Sequence, residues 1–244
     1  MKINLINPNT SQAMTQSMQV VAQSVAANQT QVIARSPQHG PRSIESMFDE
    51  AIATAALLDV VKQGEDEGVD GHIIACFGDP GLAAAKEIAT APVVGIAQAG
   101  FHMASLISHK FSVVTTLSRT IPMAEHLLHQ YGFNQQCASV RAVELPVLDL
   151  EGDASEVYDR LRAGCIQAIE ADKAEAIVLG CAGMADLASE LQADLQIPVV
   201  DGVCAAVKLI ESLNALGLST SKSFIYQTPP SKEIIGRYAY WQQD

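Results

Sequence analysis

Ile73-Ile74-Ala75-Cys76-Phe77-Gly78-Asp79-Pro80-Gly81 recurs later in the chain, in altered form, as Val178-Leu179-Gly180-Cys181-Ala182-Gly183-Met184. Each stretch is a short apolar run that ends at a cysteine and passes through glycine into a helix-forming segment. The cysteines stand 181 − 76 = 105 residues apart, and Ala91-Pro92-Val93-Val94 matches Ile197-Pro198-Val199-Val200 at 198 − 92 = 106. Two landmarks displaced by almost the same distance indicate an internal duplication.

Around these landmarks, β-branched runs alternate with longer Ala/Leu/Gln/Glu stretches. The expected strands are Ile3–Ile6, Gln31–Ala34, His72–Cys76 and Val93–Ile96 in the first half, and Phe111–Thr116, Val140–Val143, Ala176–Leu179 and Val199–Asp201 in the second. Helical spacing marks Met14–Ala27, Phe48–Gly64, Leu82–Thr90 and a run after Ala99, then Pro122–Tyr131, Val157–Ala171, Ala185–Leu195 and Ala205–Leu216. The strand runs are continuously apolar, as strands buried on both faces are. Joined by helices, they make parallel sheets with right-handed crossovers. The expectation is an α/β fold of two pseudo-symmetric duplicated domains, each with a four-stranded parallel sheet flanked by helices, and an active site in the cleft between them. The first domain would comprise residues 1–97 with a returning segment 217–244, and the second residues 98–216.

The 244 residues carry 15 Lys+Arg against 27 Asp+Glu, a formal charge of −12, with the cations scattered singly. This excludes nucleic acid and anionic membrane as partners, because phosphate contacts need clustered positive charge. No apolar run approaches the roughly 18 to 20 residues of a membrane span, and Asn7-Pro8 interrupts the N-terminus too early for a secretory signal. Five cysteines, odd in number and without a C-x-x-C pair, fit neither a zinc site nor a disulfide framework and suit a reducing cytoplasm.

In open parallel sheets, ligands gather at the carboxyl ends of strands, where both repeated cysteines fall. Glycines admit a ligand close to the backbone, and helix N-termini add a positive field that should lower a thiol pKa below its free value of about 8.5. Two thiols facing a flat substrate can invert a stereocentre, one removing a proton and the other supplying one. Cys76 and Cys181 are therefore the catalytic candidates. Cys165 and Cys204, in helical apolar patterns, and Cys137, in a polar loop, read as structural. Asp79-Pro80 reads as the start of the following helix, with Asp79 as N-cap and its charge opposing the field on Cys76. His126 and His129 share a helical face but lack a third ligand, so no metal is expected, and Glu65-Asp66-Glu67 reads as a solvated loop. Asn9 and Thr116, in the loops after the first strand and its repeat, are candidate hydrogen-bonders to substrate. Ser43, after the second strand, is another, although Ser43 with Ser46 makes no capping box.

Ile6-Asn7-Pro8-Asn9-Thr10, Ala75 to Gly81, Val114-Thr115-Thr116, Gly180 to Met184 and Pro198-Val199-Val200-Asp201-Gly202 together resemble the aspartate/glutamate/hydantoin racemase superfamily, most closely its hydantoin and allantoin racemases. The resemblance spans nearly the whole chain. It implies a racemase without cofactor, with Cys76 and Cys181 as the facing acid/base pair, in two interleaved domains, assembled as a homo-oligomer. Amino-acid racemases of the family usually carry Asn-Thr and Thr-His after the two cysteines, where this chain has Phe77-Gly78 and Ala182-Gly183. Neither loop holds Lys or Arg for a carboxylate, so a neutral cyclic ureide is the expected substrate. Its ring amides would meet backbone groups of Phe77, Gly78, Ala182 and Gly183, and its substituent Ser43 or Asn9. The run His126 to Phe133 looks like that of allantoin racemases and favours allantoin over other 5-substituted hydantoins. The competing readings are a maleate-type isomerase or malonate-type decarboxylase on the same fold, and a small-molecule binding protein with a redox-active cysteine pair.

Overall fold

The computed structural model describes residues 1–241. Its strands are β1 (Lys2–Ile6), β2 (Gln31–Arg35), β3 (Gly71–Ile74), β4 (Val93–Gly95), β5 (Phe111–Thr115), β6 (Cys137–Ala142), β7 (Ala176–Leu179) and β8 (Val199–Val200). They form two sheets, ordered β2-β1-β3-β4 and β6-β5-β7-β8, with every pairing parallel. Strands at equivalent places in the two halves occupy equivalent places in the sheets, which is the duplication read from the cysteine loops. The central strands β3, β5 and β7 are buried along their whole length, as their unbroken apolar composition requires.

The helices are α1 (Gln12–Val25), α2 (Met47–Asp66), α3 (Leu82–Ile88), α4 (Ile96–Ile107), α5 (Ile121–Tyr131), α6 (Ala154–Asp172), α7 (Ala188–Leu195) and α8 (Gly202–Ala215). Helix α4 leads from the first sheet to the second and α8 leads back. They pack on one another, and α8 also lies on α1, β3 and β4. The approach is close: a Cβ on Gly202 would stand 2.4 Å from the Ile96 carbonyl oxygen. Phe101 of α4, fully buried, stacks on Phe111 of β5 with centroids 5.9 Å apart and receives the edge of Phe77 at 5.5 Å. One aromatic cluster thus ties the loop after β3 to the second sheet. Beyond α8 the chain returns to the first half: Ser219 Oγ donates to Thr90 O, Lys222 Nζ to the carbonyls of Lys86 and Glu87, and Tyr240 OH to Asp59.

Several local expectations are corrected. Strand β3 stops at Ile74 rather than Cys76, while β7 spans Ala176–Leu179 as expected, and both cysteines sit in the loops beyond. Cys137 opens β6 rather than lying in a loop. This edge strand is half-buried throughout and uses polar groups, Ser139 bonding Ser112 and Asp172, and Arg141 pairing with Asp172, which hid its first residues from an apolar search. Helix α7 is preceded by a 3-10 helix, Ala182–Leu187, directly after Cys181. Glu65 is not in a solvated loop. It closes the last turn of α2, and its side chain, 17% exposed, accepts from the backbone of Thr90 and meets His72 Nε2 at 2.8 Å. His72 is wholly buried, its other ring nitrogen 3.1 Å from Asn4 Nδ2.

Burial alone would raise the Glu65 pKa, but hydrogen bonds from His72 and Thr90 outweigh it and bring it down to about 2. A carboxylate with a folded pKa below its unfolded value adds stability that is complete above about pH 4.5 and vanishes as pH falls toward 2. Glu65→Gln should therefore cost about 1–3 kcal/mol at pH 7. Urea unfolding should show that deficit shrinking below pH 4.5; a deficit that does not change with pH would contradict the assignment.

Candidate active site

The loops after β1, β3, β5 and β7, at the carboxyl ends of both sheets, converge on a cavity of about 60 Å³. Its lining includes Asn9, Cys76, Phe77 and Gly78 from the first half and Thr116, Cys181, Ala182 and Gly183 from the second. Eight of the nine residues anticipated from sequence are therefore together. Ser43 is not in the lining. Its neighbour Ile44 is, because the buried side chain at this turn is the isoleucine.

Asn9 is oriented from below. Its side-chain oxygen accepts from Asn7 Nδ2 at 2.8 Å and from the Ser11 amide at 2.8 Å, while Asn7 Nδ2 also reaches Ser11 O and Thr15 Oγ1. With its oxygen occupied, Asn9 keeps its amide N–H groups on the side of Met14 and the cavity, Nδ2 standing 3.7 Å from Met14 Sδ. Ser11 caps α1.

The two cysteine loops have matching local geometry. The Gly78 N–H bonds Cys76 Sγ and the Gly183 N–H bonds Cys181 Sγ, each amide two residues beyond its sulfur. These bonds favour thiolate, but burial outweighs them. Cys181 is pushed up to about 11 by burial, with Glu45 and Asp201 adding to it. Cys76 is raised further, by burial and then by Cys181, Glu50 and Asp79. The expected lowering is thus reversed in the free protein: helix α3 begins only at Leu82, six residues past Cys76, and one amide per sulfur does not offset the low dielectric.

Asp79 is not the N-cap of α3; Gly81, with φ +66°, holds that place. Asp79 itself adopts φ +43° and is 5% exposed. It accepts from the Ala97 amide at 3.0 Å, the Gln98 amide at 2.9 Å and Tyr131 OH at 2.9 Å. It therefore caps α4, whose own N-cap, Gly95, has no side chain to do so. A Cβ on Gly95 would stand 2.3 Å from that carboxylate. Burial raises the Asp79 pKa to about 6 against these bonds.

Sequence reasoning missed Glu50, on the first turn of α2. The signal was Ser46-x-x-Asp49: Ser46 Oγ accepts from the Asp49 amide, and Asp49 Oδ2 accepts from Ser46 Oγ and the Glu45 amide. With Ser46 as N-cap, these bonds start the helix at Met47. The Glu50 carboxyl packs on Gly78 so closely that a Cβ there would overlap Oε1. Among the described residues lining the cavity there is no Lys, Arg or His, and Glu50 is the one acidic group. His126 and His129 are exposed, and among the described residues no group of three or more His, Cys, Asp or Glu is placed to hold a metal. No helix among them is long and apolar enough to cross a membrane.

Two duplicated sheets each contribute a cysteine loop to one cleft, and the hydantoin and allantoin racemases among its relatives make the chain an isomerase of the racemase class. The chain belongs to the Asp/Glu/Hydantoin racemase family, whose model matches residues 3–210. It is 46% identical to a hydantoin racemase of Pseudomonas sp. (strain NS671) over 236 residues, 97% of this chain and 95% of that one. Among solved structures it resembles the allantoin racemase from Klebsiella pneumoniae (51% identity, TM-score 0.97, 99% of each chain). It also resembles the allantoin racemase from Pseudomonas fluorescens (41% identity, TM-score 0.94, 97% of this chain and 100% of that one).

Burial and then Asp79 push the Glu50 carboxyl up to about 7, with Cys76 beside it and Lys86, His126 and Tyr131 in the groove on its other side. A carboxyl with a raised folded pKa loses stability as pH rises from about 4.5 through 7. Glu50→Gln should remove that loss, so the melting temperature of the variant should gain on wild type between pH 5 and pH 8. Parallel pH curves would show that Glu50 is not strained by its surroundings.

Proposed function

We propose that the chain racemises a cyclic ureide without a cofactor, allantoin in preference to other 5-substituted hydantoins, using Cys76 and Cys181 as a two-base pair. The observation that carries this reading is the presence of both cysteine loops, at equivalent places in the two halves, in the lining of one cavity. The absence of a cation among the described lining residues leaves no counter-charge for an amino-acid carboxylate, and a neutral ureide needs none. The hydantoin and allantoin racemases to which the chain is similar support the same substrate class.

The C5 proton of such a ring is acidified by the adjacent carbonyl. One cysteine, as thiolate, takes that proton, and the charge that develops on the carbonyl oxygen is met by hydrogen-bond donors of the cleft, the amide of Asn9 among them. The opposite cysteine, as thiol, returns a proton to the other face. Exchange of roles between the sulfurs then serves the other enantiomer. Raised pKa values make each thiolate scarce but strongly basic toward a carbon acid. Cys181, the less raised, ionises first, and kcat/KM should climb with pH through the neutral range toward about 11.

The test is incubation of single-enantiomer allantoin and 5-substituted hydantoins in deuterated water, followed by polarimetry and NMR at C5. Wild type should lose optical rotation as deuterium enters. Cys76→Ala and Cys181→Ala should each lose at least about 10³-fold in racemisation, within the range of a positioned proton-transfer group, and each should retain exchange with one enantiomer only. Full racemisation by either variant would refute the pair.

A further inference from the structure

We propose that Glu50 is the specificity-determining residue of this cleft, accepting the paired N–H groups of a ureido substituent on C5 of the substrate. The inference rests on the ureide reading above and concerns which ureides that site prefers.

The placement of Glu50 carries it. Its carboxyl lies against Gly78, the residue whose amide holds the Cys76 sulfur, so it stands beside the reaction centre. It also lines a second, open groove of about 630 Å³ bounded by α2, α3 and α5, and Glu50 and Gly78 are shared by the two spaces. A substituent leaving C5 from the narrow inner cavity has this groove to extend into, and it passes Glu50 on the way. The groove's cation, Lys86, is engaged elsewhere, with Gln98 Oε1 at 3.4 Å and with the ring of Tyr226.

The chemistry of the arm fits. A terminal ureido group presents two parallel N–H donors, the pattern that a carboxylate accepts through both oxygens, as it does from guanidinium. Glu50 is the one acidic group among the described cavity-lining residues, and among the described residues no side-chain donor holds it as Tyr131 holds Asp79. Donation from the arm would offset its burial and favour the ionised form. An alkyl arm has nothing to offer it, and an anionic arm is repelled by it.

The experiment compares purified wild type, Glu50→Gln and Glu50→Asp on three substrates: allantoin, 5-methylhydantoin and hydantoin-5-acetic acid, with circular dichroism to establish folding. Glu50→Gln keeps the size of the side chain and removes its charge. It should raise KM for allantoin about 10- to 100-fold, the range for lost charge-assisted hydrogen bonds, while any change in kcat from the charge lost beside Cys76 should be shared by 5-methylhydantoin. The KM for 5-methylhydantoin should move by less than about threefold. On hydantoin-5-acetic acid the same variant should gain at least about tenfold in kcat/KM over wild type, a gain that damage to the fold cannot produce. Glu50→Asp, which keeps the charge but withdraws it, should weaken allantoin and not gain on the acid, and it carries the test should Glu50→Gln not fold.

An equal fall in kcat/KM for allantoin and 5-methylhydantoin, with no gain on the acid, would overturn the assignment and leave the ureide racemase reading in place. Wild type that racemises 5-methylhydantoin but not allantoin would overturn the assignment and the preference for allantoin, leaving a two-cysteine racemase of other hydantoins. Wild type that racemises no ureide would remove both.

Discussion

The buried Asp79 carboxylate is the clasp on which the site depends. It sits three residues after Cys76, supplies the first turn of α4 with the acceptor that Gly95 cannot, and takes the hydroxyl of Tyr131 at the end of α5. One side chain thereby ties the first cysteine loop to the helix that crosses between the sheets and to a helix of the second half. A buried charge is tolerated only when its hydrogen-bonding capacity is met, and here three donors meet it. Phe77 reinforces the same junction by packing on Phe101, which in turn stacks on Phe111. The geometry of the cleft is therefore set by contacts within the protein before any substrate arrives.

That clasp has an electrostatic consequence. Burial works most strongly against thiolate formation at Cys76, and the second thiol, Glu50 and Asp79 add to it. The free protein holds its sulfurs as thiols in a narrow cavity, and only one amide supports each. A base of this kind is seldom ionised but is strong when it is, which suits removal of a proton from carbon better than a stabilised thiolate would. Burial is the largest cause at both sulfurs; at Cys76 the second thiol, Glu50 and Asp79 add to it, and at Cys181 Glu45 and Asp201 do.

Much of this was legible in the sequence, because it rested on duplicated local patterns. The apolar runs ending near Cys76 and Cys181 specified two parallel sheets and placed both loops at the same end, and Asn9 and Thr116 followed from the same periodicity. What escaped depended on contacts between distant residues. Asp79 next to Pro80 looks like a local cap, and nothing in its neighbourhood reveals that its partners are Ala97, Gln98 and Tyr131. Glu65 among acidic neighbours looks solvated until His72 is brought beneath it. The helix field was overestimated at Cys76: the helix starts at Leu82 as its spacing indicates, but the burial of the sulfur, which outweighs the field, exists only in the folded chain. Glu50 lies on a helix that was expected from Phe48 by its spacing, yet its approach to Gly78 exists only in three dimensions. Ser43 and Ile44 differ by one position, and which of them faces inward was decided by burial of the isoleucine.

A crystal structure of the protein with a planar 5-ylidene hydantoin, which mimics the flattened intermediate, tests the central claim most directly. The account predicts the Sγ atoms of Cys76 and Cys181 on opposite faces of the ring, each within about 4 Å of C5, near the reach from which a positioned group transfers a proton. Both sulfurs on one face, or either turned away from the ring, would contradict it.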